Sequence, residues 1–285
     1  MMEISSPITK RRGVSLPFSD YCEPIVANRV LFPQMMKEIV DYASNRGWKY
    51  VEFRGGARFL EKENHFTRYW GHRLQLGAGF ERVLSGLRDS TRRNIRRAER
   101  EGVKTEILTS LDAIGQFYRL HCGTRKRLGV PPQPWIFFRN IHKHLINTEY
   151  GFVILATFED EIVAGAVFFH FGRNAIYKYG VSRKSYQSLR ANNLIIWKAI
   201  KWYLDNGYKS LSFGRTDIQN EGLRQFKKGW GTDEYPMKYY RYDVERCKFL
   251  SETDRRQGTR FTGLLRMMPI PVLRMAGRLV YRHIG

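Results

Sequence analysis

Lys227 and Lys228, set between Phe226 and Trp230, close the segment of the chain best suited to chemistry, residues 206–231 (NGYKSLSFGRTDIQNEGLRQFKKGWG). A lysine held between aromatic rings just past a strand end loses part of its hydration, and its ammonium is then aimed at a ligand. The elements that must position it can be read from the same residues. Apolar positions across 194–204 describe a helix, and Asn206-Gly207 stops it because glycine accepts a positive φ. Residues 208–213 alternate as a strand does, and Gly214-Arg215 then leaves that strand. Asn220 caps a short helix that carries Glu221 in its first turn and ends by Gly229. A solvated lysine pair on a surface helix is the plain alternative reading.

Composition bounds the partners. The 285 residues are 42% hydrophobic and include 18 Phe, 16 Tyr and 6 Trp, enough to bury a real core and too aromatic for a disordered chain. Lys and Arg number 49 against 27 Asp and Glu, a net charge of +22 that exceeds what solubility requires and points to a polyanionic partner. RNA, a phospholipid surface or a phosphorylated substrate would each satisfy it. Cys22, Cys122 and Cys247 are few, odd in number and widely spaced, so neither a disulfide framework nor a zinc ribbon is expected, and a reduced, cytoplasmic setting fits. No run of about 18 uncharged apolar residues is present to cross a membrane, and the first residues lack a signal-peptide core. Residues 263–283 differ: Leu, Met, Ile and Val are interspersed there with Arg266, Arg274, Arg278 and Arg282. That pattern suits either a peripheral helix on an anionic membrane or a terminal helix docked on the core with its arginines turned outward.

Residues 14–53 read as strand, loop, helix (32–45, stopped by Gly47) and strand (49–53), followed by a strand at 67–76. From Phe80 the pattern turns helical. Ser90 is the expected N-cap and Gly102 the closing residue of a helix bearing Arg92, Arg93, Arg96, Arg97 and Arg100, a basic ridge that Glu99 and Glu101 cannot neutralise and a candidate polyanion contact. Helices are expected at 111–127 and 135–146, separated by Pro131-Pro132-Gln133-Pro134. Strands at 152–158, 162–171 and 175–181 form an antiparallel meander, and a further strand at 236–242 follows the lysine segment. This order of elements is an α+β, GNAT-like fold with mostly antiparallel sheets flanked by helices.

On SLPFSDYCEP (15–24), RRNIRRAEREG (92–102), TRKRLGVPPQP (124–134), FGR (213–215) and NEGLRQFKKGWG (220–231), the chain resembles the Fem-type aminoacyltransferases and related GNAT-like acyltransferases over nearly its whole length. The resemblance implies tandem GNAT-like halves with the N-terminal half incomplete: 1–88 the partial first half, 89–248 the acyltransferase half, 249–285 a basic amphipathic tail. It also implies transfer of an aminoacyl group from aminoacyl-tRNA to an amine of a lipid-linked or nucleotide-linked peptidoglycan precursor. The chain departs from the family pattern at its start, where SLPFSDY looks like the middle of the first half, and it lacks the long helical arm of some relatives. A monomer, peripheral at most on the inner face of the membrane, is expected.

A second departure bears on the donor. CoA users place a glycine-rich loop before the helix that follows the meander, so that backbone N–H groups close around a pyrophosphate. Here Gln187-Ser188-Leu189-Arg190-Ala191-Asn192 stands in its place, with Arg190 and Asn192 at the glycine positions. Their side chains obstruct that cradle, although the Arg190 guanidinium can itself pair with a phosphate. Aminoacyl-tRNA is therefore favoured over acyl-CoA, and no bound cofactor is expected. By the resemblance, Lys227 of the FK motif stabilises charge on the donor or tetrahedral intermediate, Arg215 and Asn220 position substrate, and Arg54 at the matching strand end of the first half contacts an acceptor phosphate. Helix capping is the plainer role for Asn220, whereas Asp20 and Tyr21 sit in a family-like motif that a turn with a packed tyrosine explains equally well. His142 and His144 diverge on a helix at i, i+2, so no metal site is expected. The runner-up is a GNAT N-acyltransferase using acyl-CoA or an acyl carrier on an amino sugar. A third reading is a non-catalytic module binding RNA or membrane.

Overall fold

The computed structural model describes residues 1–254 and 262–283. Eleven strands among them form one sheet: β1 (Met2–Ile4), β2 (Arg12–Val14), β3 (Tyr50–Phe53), β4 (Thr67–Gln75), β5 (Lys104–Leu108), β6 (Gly151–Phe158), β7 (Glu161–Phe171), β8 (Asn174–Ser182), β9 (Ser210–Asp217), β10 (Asp233–Asp243) and β11 (Lys248–Phe249). Their spatial order is β1-β2-β3-β10-β4-β9-β8-β7-β6-β5, with β11 beside β10. Every pairing is antiparallel except β2 with β3 and β8 with β9. β10 joins the two parts of the chain, pairing its first residues with β4 and its last with β3.

The helices are α1 (Leu31–Asn45), α2 (Phe80–Gly86), α3 (Asp89–Arg100), α4 (Leu111–Leu128), α5 (Trp135–Ile141), α6 (Ala191–Asp205), α7 (Glu221–Lys228), α8 (Thr262–Met267) and α9 (Ile270–Val280). Side chains of a strand alternate between faces, and β6 shows the result. Phe152, Ile154 and Ala156 join a core built with α3 and α6, whereas Val153 and Leu155 join a second core with Phe117 of α4 and Phe138 of α5. Phe117 and Phe138 are fully buried, each stabilising the fold by roughly 1.5–3 kcal/mol. A third core sets Phe32 and Ala43 of α1 against Val51, Phe53 and Tyr240.

Three local expectations are corrected. Ser90 is not the N-cap of α3, which begins at Asp89 behind Arg88 without a side-chain cap. The helix expected across 135–146 changes to a π-helical turn at His142–Ile146. β9 does not end before Gly214 but continues to Asp217.

Candidate active site

β8 and β9 pair over only three residues each, Asn174–Ser210, Ala175–Leu211 and Ile176–Ser212. Past that point β9 follows β4 alone, and its register against β4 slips between Gly71 and Arg73. Gly214 takes φ +68° at this slip, a conformation that glycine adopts without a Cβ penalty. That residue absorbs the irregularity and lets the strand run on, which is why the expected exit at 214 is not seen. Where the pairing of β8 and β9 stops, a cleft of about 250 Å³ opens between Lys178 and Tyr179 of β8 and Arg215 of β9.

The N-terminal segment 15–24 closes one side of the cleft with Phe18, Ser19 and Asp20. Lys178 Nζ donates to the Phe18 carbonyl at 2.8 Å and lies 3.8 Å from the Asp20 carboxylate. Arg215 Nε is 3.7 Å from the same carboxylate, and its Nη1 donates to the Tyr239 hydroxyl at 3.0 Å while its guanidinium stacks on Tyr69 at 4.5 Å. The Tyr239 hydroxyl in turn donates to the Asp20 carbonyl. Arg54 donates to the Leu16 and Ser19 carbonyls at 3.2 and 3.0 Å and pairs with Glu52 at 3.2 Å. Within the cleft lining the single carboxylate of Asp20 thus faces Lys178 and Arg215, and the local field is positive. Burial pulls the Lys178 pKa down and Asp20 pulls it up, with burial the larger effect. Phe18 holds φ +61° in this loop, a conformation that costs a non-glycine residue about 1 kcal/mol or more.

Lys227 is buried, 4% exposed, and donates to the carbonyls of Gly214 at 3.3 Å and Arg215 at 2.9 Å. Its ammonium therefore holds the irregular part of β9 from the α7 side instead of lining the cleft. Burial lowers its pKa to about 8, opposed by Asp20. The aromatic neighbours explain this placement: Trp230 is fully buried and stacks on Phe213 at 6.2 Å, and Phe226 packs against the same core, so α7 presents Lys227 to the strand. His72 of β4 lies close by, fully buried, and burial followed by the charge of Lys227 lowers its pKa to about 4.

The structure thus brings Arg54 and Arg215 into one cleft and sets Lys227 against its wall. Asn220 is a helix cap, its Oδ1 accepting from the Leu223 N–H at 3.1 Å. Arg190 and Asn192 flank the start of α6 and do not line the cleft; Arg190 takes φ +59°, the left-handed conformation a glycine would favour. On the α3 ridge, Arg92 is held inward, donating to the Leu84 and Ser85 carbonyls, and Arg97 and Arg100 approach Glu101 at 3.7 and 3.8 Å. Arg93 and Arg96 are exposed. Sequence reasoning missed Lys178 and Tyr239, and it left Asp20 between a family-like motif and a plain turn. Lys178 reads as an ordinary strand position, and the SLPFSDY motif was the one signal that could have led to Asp20. A second basic cavity of about 480 Å³ lies just beyond β8, where Arg119 and Arg127 of α4 meet Arg183 and Lys184.

Residues 85–235 match the family model described as an acetyltransferase (GNAT) domain. Similar solved structures include FemX, at 15% identity and TM-score 0.62 over 79% of this chain and 81% of FemX. L-PGS from Bacillus licheniformis aligns at 16% identity and TM-score 0.54 over 90% of this chain and 79% of its own. A tandem GNAT protein from the clavulanic acid biosynthesis pathway aligns at 8% identity and TM-score 0.52 over 79% and 76%. At these identities the likeness establishes the fold. No curated protein matches the chain significantly in sequence.

Proposed function

The chain belongs to the GNAT acetyltransferase family and is an acyltransferase, and on that premise we propose that it moves an aminoacyl group from aminoacyl-tRNA to an amine of a peptidoglycan or related envelope precursor. The observation that carries this reading is the cationic opening where β8 and β9 part, with Lys178 and Arg215 facing each other across Asp20. In the reaction the acceptor amine attacks the ester carbonyl carbon, the carbonyl oxygen takes up negative charge, and the C–O bond to the ribose then breaks as the amide forms, the ribose oxygen leaving as a hydroxyl with the proton the amine gave up. An ester donor is already activated, so positioning and charge stabilisation are what the protein must supply.

Lys178 is the cation best placed to donate to the developing oxyanion. Asp20 accepts the proton the attacking amine loses, and Arg215 orients an anionic group of either substrate. Lys227 acts one layer back, fixing the Gly214 and Arg215 carbonyls so that β9 keeps the geometry the cleft needs. Arg54 holds the 15–24 segment in place through its two carbonyl contacts. The basic cavity beyond β8 supports a donor that carries phosphates.

One observation favours acyl-CoA as an alternative donor: Arg190 keeps the glycine-like backbone at the start of α6, where a pyrophosphate cradle would form. Purified protein offered charged tRNA and acyl-CoA separately, each with a lipid-linked muropeptide amine, separates the two. Amide formation from charged tRNA is the expected result. Transfer from acyl-CoA alone would assign the alternative, and transfer from neither would overturn both.

A further inference from the structure

α9 presents three stripes, each with its own surroundings. Leu273 and Gly277, spaced i, i+4, are buried against the body of the protein. Gly277 lies so close that a Cβ there would come within 2.0 Å of the Pro132 carbonyl. The next stripe, Arg274 and Arg278, borders a groove of about 600 Å³ shared with α5, which is lined as well by Arg139, Trp135 and Ile136. No carboxylate pairs with Arg139, Arg274 or Arg278 among the described residues; Arg274 instead stacks on Tyr118 at 5.5 Å. The third stripe is apolar and turned away from the body: Val272 is 42% exposed, Met275 61% and Leu279 52%; on α8, Leu264 at 58% and Met267 at 82% are exposed too.

A docked helix with one face in the core should show polar residues on the other. Here the outward face carries large apolar side chains flanked by arginines that lack acidic partners, on a chain of net charge +22. Apolar area and positive charge on adjoining stripes are what an interfacial helix needs: the first enters the acyl region, the second meets phosphate headgroups. A folded protein partner would satisfy the apolar stripe but leave the three guanidiniums without a reason. RNA would satisfy the guanidiniums and leave the apolar stripe in water.

We propose that the outward face of α8 and α9, with the Arg139–Arg274–Arg278 groove, docks on the surface of an anionic phospholipid bilayer. The docking would bring the acyl-transfer cleft to the bilayer as well, because Tyr281, directly after α9, lines that cleft, stacks on Phe18 at 6.4 Å and accepts from Arg125 at 3.1 Å. The proposal does not depend on which acyl donor is used.

Sedimentation of the 285-residue chain with vesicles tests it. The expected result is binding to mixed phosphatidylglycerol and phosphatidylcholine vesicles and little to phosphatidylcholine alone. Met275→Asp combined with Leu279→Asp should weaken binding by about tenfold or more. Arg274→Gln combined with Arg278→Gln should weaken it several-fold and flatten its salt dependence. Both pairs alter exposed positions, and an unchanged thermal midpoint would confirm that each variant is folded. Added inorganic phosphate should not displace the protein, because a phosphate site alone does not hold the apolar stripe. Wild type that ignores phosphatidylglycerol vesicles, or aspartate variants that bind as tightly as wild type, would overturn the proposal. So would tRNA binding that depends on Arg274 and Arg278 while vesicles go unbound.

Discussion

Lys227 shows what a buried ammonium does to both stability and geometry. Its pKa falls from 10.5 to about 8, so between those values the unfolded chain binds more protons than the folded one, and this group's contribution makes stability rise with pH across that window. Below about pH 8 both states hold the proton and the burial penalty is fully present. Lys227→Met removes the titration. Relative to that variant, wild type should therefore gain unfolding free energy between pH 8 and 10, measured by urea titration at each pH. The same variant leaves the Gly214 and Arg215 carbonyls without their donor, and a β9 displaced by about 1 Å should lower turnover by about 10²-fold. Equal slopes in the two proteins would show that Lys227 is not buried as charged; equal turnover would show that β9 does not depend on it.

At the scale of elements, the cleft exists because β9 is irregular at one residue. Gly214 holds φ +68°, and a Cβ there would come within 2.7 Å of Asp20 Oδ2. Gly214→Ala should therefore destabilise the protein by about 1–2 kcal/mol, lowering the thermal midpoint, and should reduce transfer by displacing Asp20. A midpoint equal to wild type would contradict the role given to this turn. Much of the element order was legible because it depends on near neighbours. The strand periods of β6, β7 and β8 matched their final bounds within a residue or two, and Gly207 closes α6 with φ +71° as its position predicted. The burial of Lys227 was legible as well, since its flanking aromatics signal it, but its direction was not: the ammonium meets the Gly214 and Arg215 carbonyls. What was not legible depends on distant residues. Lys178 gains meaning only when Phe18 and Asp20, about 160 positions earlier, fold against it. Gly214 reads as a strand exit until β4 supplies the register slip that keeps β9 running. Arg54 sits in the expected cleft, but its guanidinium holds a loop, a role no spacing could reveal.

For the molecule as a whole, the excess of positive charge is distributed, and its parts act differently. Arg93 and Arg96 stand exposed on α3, whereas Arg92 is bound to the carbonyls that end α2. Replacing Arg93 and Arg96 with glutamine should weaken tRNA binding and lower its logarithmic salt slope by roughly 1.5, read from binding isotherms across a salt series. Arg92→Gln should lower the thermal midpoint instead, because two carbonyls lose their donor. An unchanged slope in the double variant would mark the ridge as a solvated surface. The mechanism proposed for the cleft between β8 and β9 is that positive charge there steadies an acyl group in passage to nitrogen. Its most direct test is single-turnover amide formation by wild type and Lys178→Met, with charged tRNA and a lipid-linked amine acceptor. Transfer by wild type and a loss of about 10²-fold or more in the variant, with its fold intact, is the predicted result; a folded Lys178→Met protein that transfers at the wild-type rate would contradict it.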